Sequence, residues 1–504
     1  MHGDNPRRST GDSLDTAIVG AGIGGLYTAW RLLDCGEPPG GISVFEASAR
    51  VGGRLFSMNM PGTIGIAAEF GGMRFLSSHA LITSVAAKLG LKVREFPAGG
   101  MENIFYSRGK RWRAGDMARK QSIPYGLRAD ELDLDPFELI AKAVQQVMPV
   151  VKHLEPDEWA KTKEQLTLDG LPLINWGFAN LLSRFLSDEA LQFIEMGIGY
   201  SSVVRNWNAA DALSLVVEYI NSPMEKTLGD GMQALPDALA MAVLRGGSTV
   251  HRRHRLVSLR GPAQTSDGLQ ELVFVTPDGP RTVRARRVVL ALPPRSIELI
   301  DDCAPLKEPR IAALLANVTP RPFGKVFLAH EQPWWRPLGL TGGKATTDLP
   351  IRQIYYFGTE PDRRTDATGY LTMGYFDRPQ LDYWVGLRRL EQPGASGFGL
   401  LDPEGPVATE VRRQIAIVHG LDQPMPAPLS VGFMNWEDDP YGGAWHTWKQ
   451  GVKSWDVMKT IAAPVPGTAL HIVGEAWSTN QGWVEGALET AEAVVGAMTR
   501  VPAS

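Results

Sequence analysis

The chain has 504 residues, and its 44% hydrophobic and 21% charged residues are typical of a soluble globular protein with two or three domains. The formal net charge of −4 excludes a global field that attracts nucleic acid or an anionic membrane, and neither is expected as a partner. Two cysteines without a CxxC pair exclude a disulfide framework, and no metal site is predicted. No apolar run reaches the roughly 18 residues of a membrane helix and no apolar leader opens the chain, so a cytoplasmic location is expected.

The first elements have the order strand, helix, strand. "TAIVG" is a short apolar strand, "GLYTAWRLL" has helical spacing and ends at Gly36, and "GISVFEA" is a second strand that ends at Glu46. Between the first strand and the helix lies the pattern GxGxxG, formed by Gly20, Gly22 and Gly25. The first glycine permits a tight turn, the second lets a pyrophosphate reach the helix N-terminus, and Glu46 can accept both ribose hydroxyls. This context predicts a dinucleotide site rather than an ordinary glycine-rich turn.

A second glycine pair follows the second strand directly, in "ASARVGGRLFS". It precedes Arg54, whose guanidinium can cap the same pyrophosphate. The next notable stretch, "AAEFGGMRFL", places Arg74 among apolar residues that are suited to burial. A buried arginine requires an anionic partner, and nothing in the sequence forces a contact with nearby Glu69. Arg74 is therefore predicted to bind an anion in the folded protein.

The middle of the chain changes its periodicity twice. From about 126 to 228 the spacing is helical, as in "DPFELIAKAVQQVMPVV" and "AADALSLVVEYI". A turn and a helix follow, and then the strands "TVHRRHRLVSL", "LVFVT" and "RARRVVLALPP". Further along, the strands "GKVFLAH", "IRQIYYFG" and "GYLTMGYF" carry Lys325, Tyr356 and Tyr375. The chain closes with the strand "TALHIVGEAW" and the periodic helix "GWVEGALETAEAVVGAM".

Nucleotide-binding elements thus occur at both ends and in the middle of the chain, with other material between them. The order predicts an α/β fold with α+β insertions, in which a split Rossmann-type domain is joined by a mixed-sheet domain and a helical domain. The expected boundaries are 12–75, 229–320 and 455–504 for the split cofactor-binding domain, 76–125 and 321–454 for the substrate-binding domain, and 126–228 for the helical domain.

The glutamate, glycine pair and arginine near the N-terminus resemble one half of the FAD site of the flavin amine-oxidase superfamily. The C-terminal stretch "IVGEAWSTNQGWVEGALETAEAV" resembles the other half, and the resemblance covers nearly the whole chain. It implies that Glu475 faces the ribityl phosphate and that the last helix directs its N-terminus at the flavin ring. The residues implied to bind FAD are Gly20, Gly22, Gly25, Glu46, Gly53, Arg54, Gly72, Met73, Arg74, Val257, Glu475, Gly482 and Trp483. Members with covalent flavin have a cysteine before the last helix, and residues 474–486 contain none, so FAD is expected to bind non-covalently.

Two further stretches, "GGMRF" and "GGKATTDLPIRQIYYFG", resemble L-amino acid oxidases and amino acid monooxygenases. The resemblance implies that Arg74 binds the α-carboxylate of an amino acid bidentately and that the hydroxyl of Tyr375 binds the same carboxylate. Tyr356 is expected to be a wall residue of the substrate site. For Tyr375, an amphipathic tyrosine of the core is an alternative that the residues alone leave open.

The remaining site residues also rest on this resemblance. Lys325 is expected to contact a water beside flavin N5, although a lysine that reaches the surface is commoner in such a strand. The carbonyl of Gly482 is expected to accept a hydrogen bond from the substrate amine, and Trp445 and Trp483 to enclose the substrate. His446 has no visible partner and is interpreted as an ordinary core residue.

The sequence therefore predicts an FAD-dependent L-amino acid oxidase, whose catalytic residues are Lys325, Arg74 and Tyr375. It would convert an L-amino acid, O2 and water to a 2-oxo acid, ammonium and hydrogen peroxide, with hydride transfer from Cα to flavin N5. Two alternatives stay open: an amino acid 2-monooxygenase that forms an amide, and a catalytically silent flavin-binding subunit. A homodimer also stays open.

Overall fold

A computed structural model describes residues 13–116, 123–149, 154, 156–205, 207–221, 224–423 and 425–499. The polar N-terminal segment lies outside the described residues, as do small parts of the expected domain ranges. In the described part of the chain, the strands in chain order are β1 (Ser13–Val19), β2 (Ile42–Phe45), β3 (Ser57–Asn59), β4 (Ala67–Glu69), β5 (Phe75–Leu76), β6 (Val93–Glu95), β7 (Ile104–Ser107), β8 (Lys110–Arg113), β9 (Thr167–Leu168), β10 (Leu171–Pro172), β11 (Glu225–Leu228), β12 (Thr249–His251), β13 (Arg255–Arg260), β14 (Gln270–Thr276), β15 (Gly279–Leu290), β16 (Val318–Arg321), β17 (Phe323–His330), β18 (Lys344–Thr347), β19 (Gln353–Phe357), β20 (Tyr370–Asp377), β21 (Phe398–Leu401), β22 (Ser430–Asn435), β23 (Trp445–Trp448) and β24 (Leu470–Ile472).

The α-helices of the same part are α1 (Ile23–Asp34), α2 (Ala80–Lys88), α3 (Pro136–Gln145), α4 (Pro156–Gln165), α5 (Phe178–Phe185), α6 (Asp188–Ile198), α7 (Ser201–Val204), α8 (Ala209–Asn221), α9 (Ala234–Arg245), α10 (Pro294–Glu298), α11 (Ala304–Lys307), α12 (Pro309–Leu315), α13 (Gln380–Glu391), α14 (Pro406–His419), α15 (Ser454–Ile461) and α16 (Val484–Thr499). Within the described residues, none of these helices combines the length and the apolar character that crossing a membrane requires.

The first large sheet has the strand order β12-β2-β1-β15-β14-β13, and β24 pairs with β15. The pairs of β1 with β2 and β15, of β2 with β12 and of β15 with β24 are parallel, whereas β13, β14 and β15 are antiparallel neighbours. Helices α1, α9 and α16 pack together on this sheet through buried residues such as Leu26, Leu239 and Leu488. The sheet thus joins the two ends and the middle of the chain, which confirms the split Rossmann-type fold.

One predicted strand of this sheet divides into two. The stretch "TVHRRHRLVSL" forms β12 beside β2 and β13 beside β14, with a turn between them in which Arg253 has a φ of +58°. A left-handed residue cannot continue a strand, so the chain leaves one edge of the sheet and re-enters at the other.

The second large sheet has the order β21-β22-β17-β20-β19-β18-β7-β8. It is mixed, because β18 and β7 are parallel and the other neighbours are antiparallel. Lys325 pairs with Tyr375, Tyr375 with Gln353, and Lys344 with Tyr355 in the strand register. Because side chains of directly paired residues share a face, these five side chains lie on one face of the sheet.

Helices α3 to α8 form a separate apolar cluster built from residues such as Leu139, Phe178 and Leu213. The helical prediction for this part of the chain is therefore confirmed for the described residues. Gly199 ends α6 in the left-handed conformation, and its carbonyl accepts a hydrogen bond of 3.2 Å from the amide of Gln353 in β19. This contact ties the helical layer to the face of the second sheet that carries Lys325.

The packing does not follow the expected domain boundaries closely. Residues 60–73, assigned to the cofactor-binding domain, contribute Met60, Phe70 and Met73 to the core that covers the second sheet. The ribbon of β16 and β23 also crosses the expected boundary between 320 and 321. The boundaries themselves stay a prediction.

Candidate active site

A cavity of about 590 Å³ opens where β1 turns into α1. Gly20 has a φ of +102°, and a Cβ there would lie 2.5 Å from the carbonyl oxygen of Ala291. A Cβ on Gly25 would lie 2.0 Å from the carbonyl oxygen of Gly20, so Gly25 serves the packing of α1 rather than the cavity lining. Gly22 lines the cavity, and no side chain of the described residues caps the first turn of α1. The N–H groups of that turn, which lack a side-chain cap, suit a phosphate.

The second glycine pair faces the first across this cavity. A Cβ on Gly53 would lie 3.3 Å from the Cα of Gly22, so side chains would fill the space between the two turns. Glu46 lines the same cavity, and its carboxylate accepts N–H bonds of 2.8 Å from both Ala21 and Ser48. These bonds fix the carboxylate where a ribose could donate to its remaining lone pairs. The glycine turns and the acid together fit a dinucleotide.

The start of β13 also lines the cavity, close to Val257, whose role in cofactor binding stays a prediction. Leu256 lines the cavity, whereas Val257 does not. The pairing of β13 with β14 is irregular between Leu256 and Ser258, and the carbonyl of Val257 accepts a hydrogen bond of 2.9 Å from the N–H of Asp302. A bulge at this position shifts the alternation of side chains, which a sequence pattern does not show.

At the other end of the cavity, Glu475 collects four donors. Its carboxylate accepts hydrogen bonds from Arg54 at 2.8 Å, from the N–H groups of His446 and Gly482 at 2.8 Å, and from Nδ1 of His446 at 3.1 Å. Burial opposes ionisation of Glu475, but the charge of Arg54 and the bonds from His446 lower its pKa to about 2. His446 is buried, as expected of a core residue, but it has a definite partner that the sequence did not indicate.

Arg54 and Glu475 both line the cavity, so the structure brings together the two residues that were predicted to face phosphates. It pairs them with each other, and the guanidinium also donates to the carbonyl of Ala444 at 3.0 Å. Gly53, Gly72, Gly482 and Trp483 line the same cavity. Met73 and Arg74 line a different one, described next.

A second cavity of about 440 Å³ adjoins the first, because Gly72, Gly482 and Trp483 line both. Its floor is the face of the second sheet that carries Lys325, Tyr375, Tyr355 and Lys344. Apolar residues of the helical layer form the opposite side, and these are Phe137, Ile140, Phe178, Ile198, Val204, Leu215 and Val216. Such a space, polar at one end and apolar at the other, suits a small amphipathic molecule.

Lys325 is buried at the floor of the second cavity. Its ammonium donates to the carbonyls of Glu69 at 2.8 Å and Gly71 at 2.6 Å and lies 4.8 Å from the ring centre of Tyr375. Burial lowers the pKa of Lys325 well below the usual lysine range, and the same burial raises the pKa of the Glu69 carboxyl. The two carbonyls hold the amine in place.

Arg74 has an anionic partner within the chain itself. Its Nε lies 3.1 Å from Oε1 of Glu225, and its Nη1 donates to the hydroxyl of Tyr355 at 3.2 Å. Tyr355 in turn donates to the side chain of Gln353 at 2.9 Å. Burial opposes the positive charge of Arg74, but Glu225 raises its pKa above the ordinary arginine range. Glu69, the acid close to Arg74 in sequence, instead accepts bonds from Ser57 and Met232.

Tyr356 does not line either cavity, contrary to the prediction that it is a wall residue. Its hydroxyl bonds to Nε2 of His419, and its ring packs against Trp335 in the core behind the second sheet. Tyr355 lines the cavity in its place. Neighbouring residues of a strand point to opposite faces, so the prediction chose the wrong member of the tyrosine pair.

The remaining predicted substrate residues lie together at the junction of the two cavities. Trp445 and Trp483 line the second cavity, and Trp445 packs edge-on against Trp207 with 5.7 Å between ring centres. Gly482 has a φ of +87°, and a Cβ there would lie 2.8 Å from the Trp445 ring. Glycine is thus required where the chain passes between the tryptophans. Glu225, Tyr355 and Lys344 are cavity residues that sequence reasoning missed.

Comparison with known proteins adds independent findings. The family model described as flavin containing amine oxidoreductase matches residues 23–499. Aplysianin-A from Aplysia kurodai is 27% identical over 96% of this chain and 90% of its own length. An L-amino-acid oxidase from Bungarus fasciatus is 23% identical over 96% of this chain and 87% of its own length. Putrescine oxidase bound to putrescine superposes with a TM-score of 0.69 at 20% identity, covering 96% of this chain and 99% of that one, which supports the fold.

Proposed function

Because the chain belongs to the family of flavin-containing amine oxidoreductases, we propose that it is an FAD-dependent L-amino acid oxidase. The proposed reaction converts an L-amino acid, O2 and water to a 2-oxo acid, ammonium and hydrogen peroxide. The observation that carries this proposal is a buried guanidinium, that of Arg74, in a cavity of substrate size. That cavity joins the one whose glycine turns and Glu46 fit a dinucleotide.

FAD is proposed to bind non-covalently along the first cavity. Glu46 would accept from the adenosine ribose, the first turn of α1 and the glycine turn at Gly53 would hold the pyrophosphate, and Arg54 would add a positive charge beside it. The absence of cysteine from residues 474–486 supports non-covalent binding. When bound, FAD would supply the two-electron oxidant that the protein side chains lack, with O2 as the final electron acceptor.

The substrate is proposed to bind between the tryptophans and the second sheet. Of the described residues, none accepts a hydrogen bond from Nη2 of Arg74, so this nitrogen can donate to an α-carboxylate. Tyr375 lies on the same face of the sheet, and the carbonyl of Gly482 can accept from the α-amine. Holding the carboxylate and amine at fixed points orients the Cα–H bond, and such orientation supplies much of the rate in a reaction of this kind.

A side-chain base is not required if the substrate amine reacts in its neutral form. Burial raises the pKa values of Tyr200, Tyr219 and Tyr375 above the ordinary tyrosine value, so these cavity hydroxyls stay neutral. Lys325, whose pKa is lowered by burial, is proposed to hold a water and to move protons at the junction of the cavities.

Oxidation of an amine without a carboxylate is a second candidate. Glu225 lines the same cavity and could pair with a cationic substrate, and the fold is shared with putrescine oxidase. The amino acid proposal is preferred because Glu225 is already paired with Arg74, whereas an amine would have no use for the guanidinium.

The test is an anaerobic screen of the twenty L-amino acids and of the matching decarboxylated amines against the purified flavoprotein. We expect at least one L-amino acid to bleach the flavin, with equal yields of ammonium and peroxide after O2 is admitted. Acid precipitation of the same sample should leave FAD in solution. Amide and carbon dioxide would instead identify a monooxygenase, bleaching by amines alone an amine oxidase, and no bleaching a silent subunit.

Replacing Lys325 by methionine should slow flavin reduction or its reoxidation by O2 by roughly 100-fold, the lower range for a group that moves protons. Methionine keeps most of the side-chain volume but removes the amine that the carbonyls of Glu69 and Gly71 hold. Stopped-flow absorbance measures both half-reactions at saturating FAD. Lys226→Met is the control and should change neither rate, because Lys226 pairs with Glu95 and lines neither cavity. Wild-type rates in Lys325→Met would make Lys325 a structural residue.

A further inference from the structure

The guanidinium of Arg74 is neutralised before any substrate arrives. Its Nε lies 3.1 Å from the carboxylate of Glu225, and the side chains of both residues are only 13% and 12% exposed. Glu225 also accepts a bond of 3.4 Å from the hydroxyl of Tyr219. A carboxylate in this position affects every anion that approaches Arg74.

The position of Glu225 is fixed by its strand. β11 lies between β5 and β6, where Glu225 pairs with Leu76 and its carbonyl accepts the N–H of Phe96 at 2.9 Å. Because β11 is paired with a strand on each side, its backbone keeps the carboxylate of Glu225 in the cavity. Tyr200, Tyr219 and Tyr375 stay neutral, so the formal charges that line the cavity are those of Arg74, Glu225, Lys325 and Lys344.

We propose that Glu225 is a resident counter-ion of Arg74 that weakens the binding of carboxylates and so determines which ligands the site retains. The inference rests on the proposed function, since it takes Arg74 as the carboxylate-binding group. A carboxylate that bonds to the outer nitrogens of Arg74 comes within several ångström of Glu225 and is repelled by it.

Because of this repulsion, a carboxylate ligand should need an α-amine in order to bind tightly. An α-amino acid can offset the repulsion by donating from its amine to the carbonyl of Gly482, whereas a 2-oxo acid has no such donor. Glu225 would therefore favour the release of the oxidised product over its retention at Arg74. It would also attract cationic amines, so its charge sets the balance between carboxylates and amines.

The experiment compares benzoate and benzylamine, which share a ring and carry opposite charges. Their dissociation constants are measured on the FAD-loaded protein from the perturbation of the flavin absorbance and by calorimetry, without turnover. In Glu225→Gln, benzoate should bind about 100- to 300-fold more tightly, because removing a charge at roughly 5 Å at an effective dielectric constant near 20 has an effect of that size. Benzylamine should bind more weakly. A substitution that only damages the fold would not make a ligand bind more tightly.

Control variants separate the inference from the proposed function. Glu95→Gln removes a carboxylate from the neighbouring strand β6, where it is 78% exposed beside Lys226, and should leave both constants unchanged. Glu225→Asp keeps the charge and should restore weak binding of benzoate. If Arg74→Ala does not weaken benzoate in the wild-type background, the proposed function fails. If Arg74→Ala does weaken benzoate binding, but Glu225→Gln leaves the affinity for benzoate unchanged or lower, the inference about Glu225 is wrong while the function stands.

Discussion

Replacing Arg74 by alanine is expected to lower kcat/KM for the best L-amino acid by about a hundred- to several-thousand-fold. The substrate carboxylate loses a charge-assisted partner in a desolvated site, a loss of roughly 3–5 kcal/mol at about 1.4 kcal/mol per factor of ten. The variant also leaves Glu225 without its counter-ion beside the incoming carboxylate, which favours the upper part of the range. Arg74→Lys should recover only part of the activity, since an ammonium cannot reproduce the two-pronged contact.

The decisive measurement is the ratio of activities on an amino acid and on the amine that lacks its carboxylate. Arg74→Ala should shift this ratio toward the amine, which gains from the unpaired charge of Glu225. Arg74→Ala combined with Glu225→Gln removes both charges and controls for a buried carboxylate that unfolds the site. An equal loss on both substrates, or loss of FAD from the protein, would assign Arg74 to the fold or the cofactor and remove the main support for an amino acid substrate.

Parts of the fold could be predicted from the sequence because the patterns that specify them span only a few neighbouring residues. The helical period of "GLYTAWRLL" and the glycine after it gave α1, and Gly36 indeed has a φ of +86° just beyond that helix. The dinucleotide cradle was also predictable, since Gly22, Glu46 and Gly53 lie within one strand–helix–strand unit and its next turn. The contacts within such a unit join residues that are close in sequence, so a local pattern can predict them.

Long-range pairs were not predictable. Arg74 directly precedes β5 and Glu225 begins β11, on either side of helices α3 to α8, and nothing in either local sequence indicates the other. Glu475 and His446 likewise meet only because β23 passes beside the turn that follows β24. The sequence could state that a buried arginine needs an anion, but the anion could come from any acid in the chain or from a ligand.

One error was of a single residue and concerns strand parity. Tyr356 was chosen where Tyr355 faces the cavity. Once Tyr375 is placed on the cavity face, Tyr355 follows, because Tyr375 pairs with Gln353 and side chains two apart share a face. That inference requires the register, and the register becomes visible only in the folded sheet.

The second large effect is expected for Glu475→Gln and concerns stability. The buried carboxylate accepts hydrogen bonds from Arg54, from the backbone N–H groups of His446 and Gly482, and from the ring of His446. An amide has one acceptor oxygen and no charge, so Arg54 and at least one donor lose their partner, at a cost of roughly 3–5 kcal/mol. The thermal unfolding midpoint at pH 7 should fall by several degrees or more, measured by calorimetry with excess FAD.

The pH dependence identifies the cause of that loss. Because the folded pKa of Glu475 is lowered to about 2 from an ordinary value of 4.5, its stabilisation is fully present above pH 4.5 and is lost as the pH falls toward 2. The difference in midpoint between wild type and Glu475→Gln should therefore be constant from pH 7 to 5 and narrow below it. Glu189→Gln breaks a solvent-screened ion pair with Arg108 and should shift the midpoint little at any pH. A difference that does not narrow in acid would show that packing, rather than the charge of Glu475, stabilises this junction.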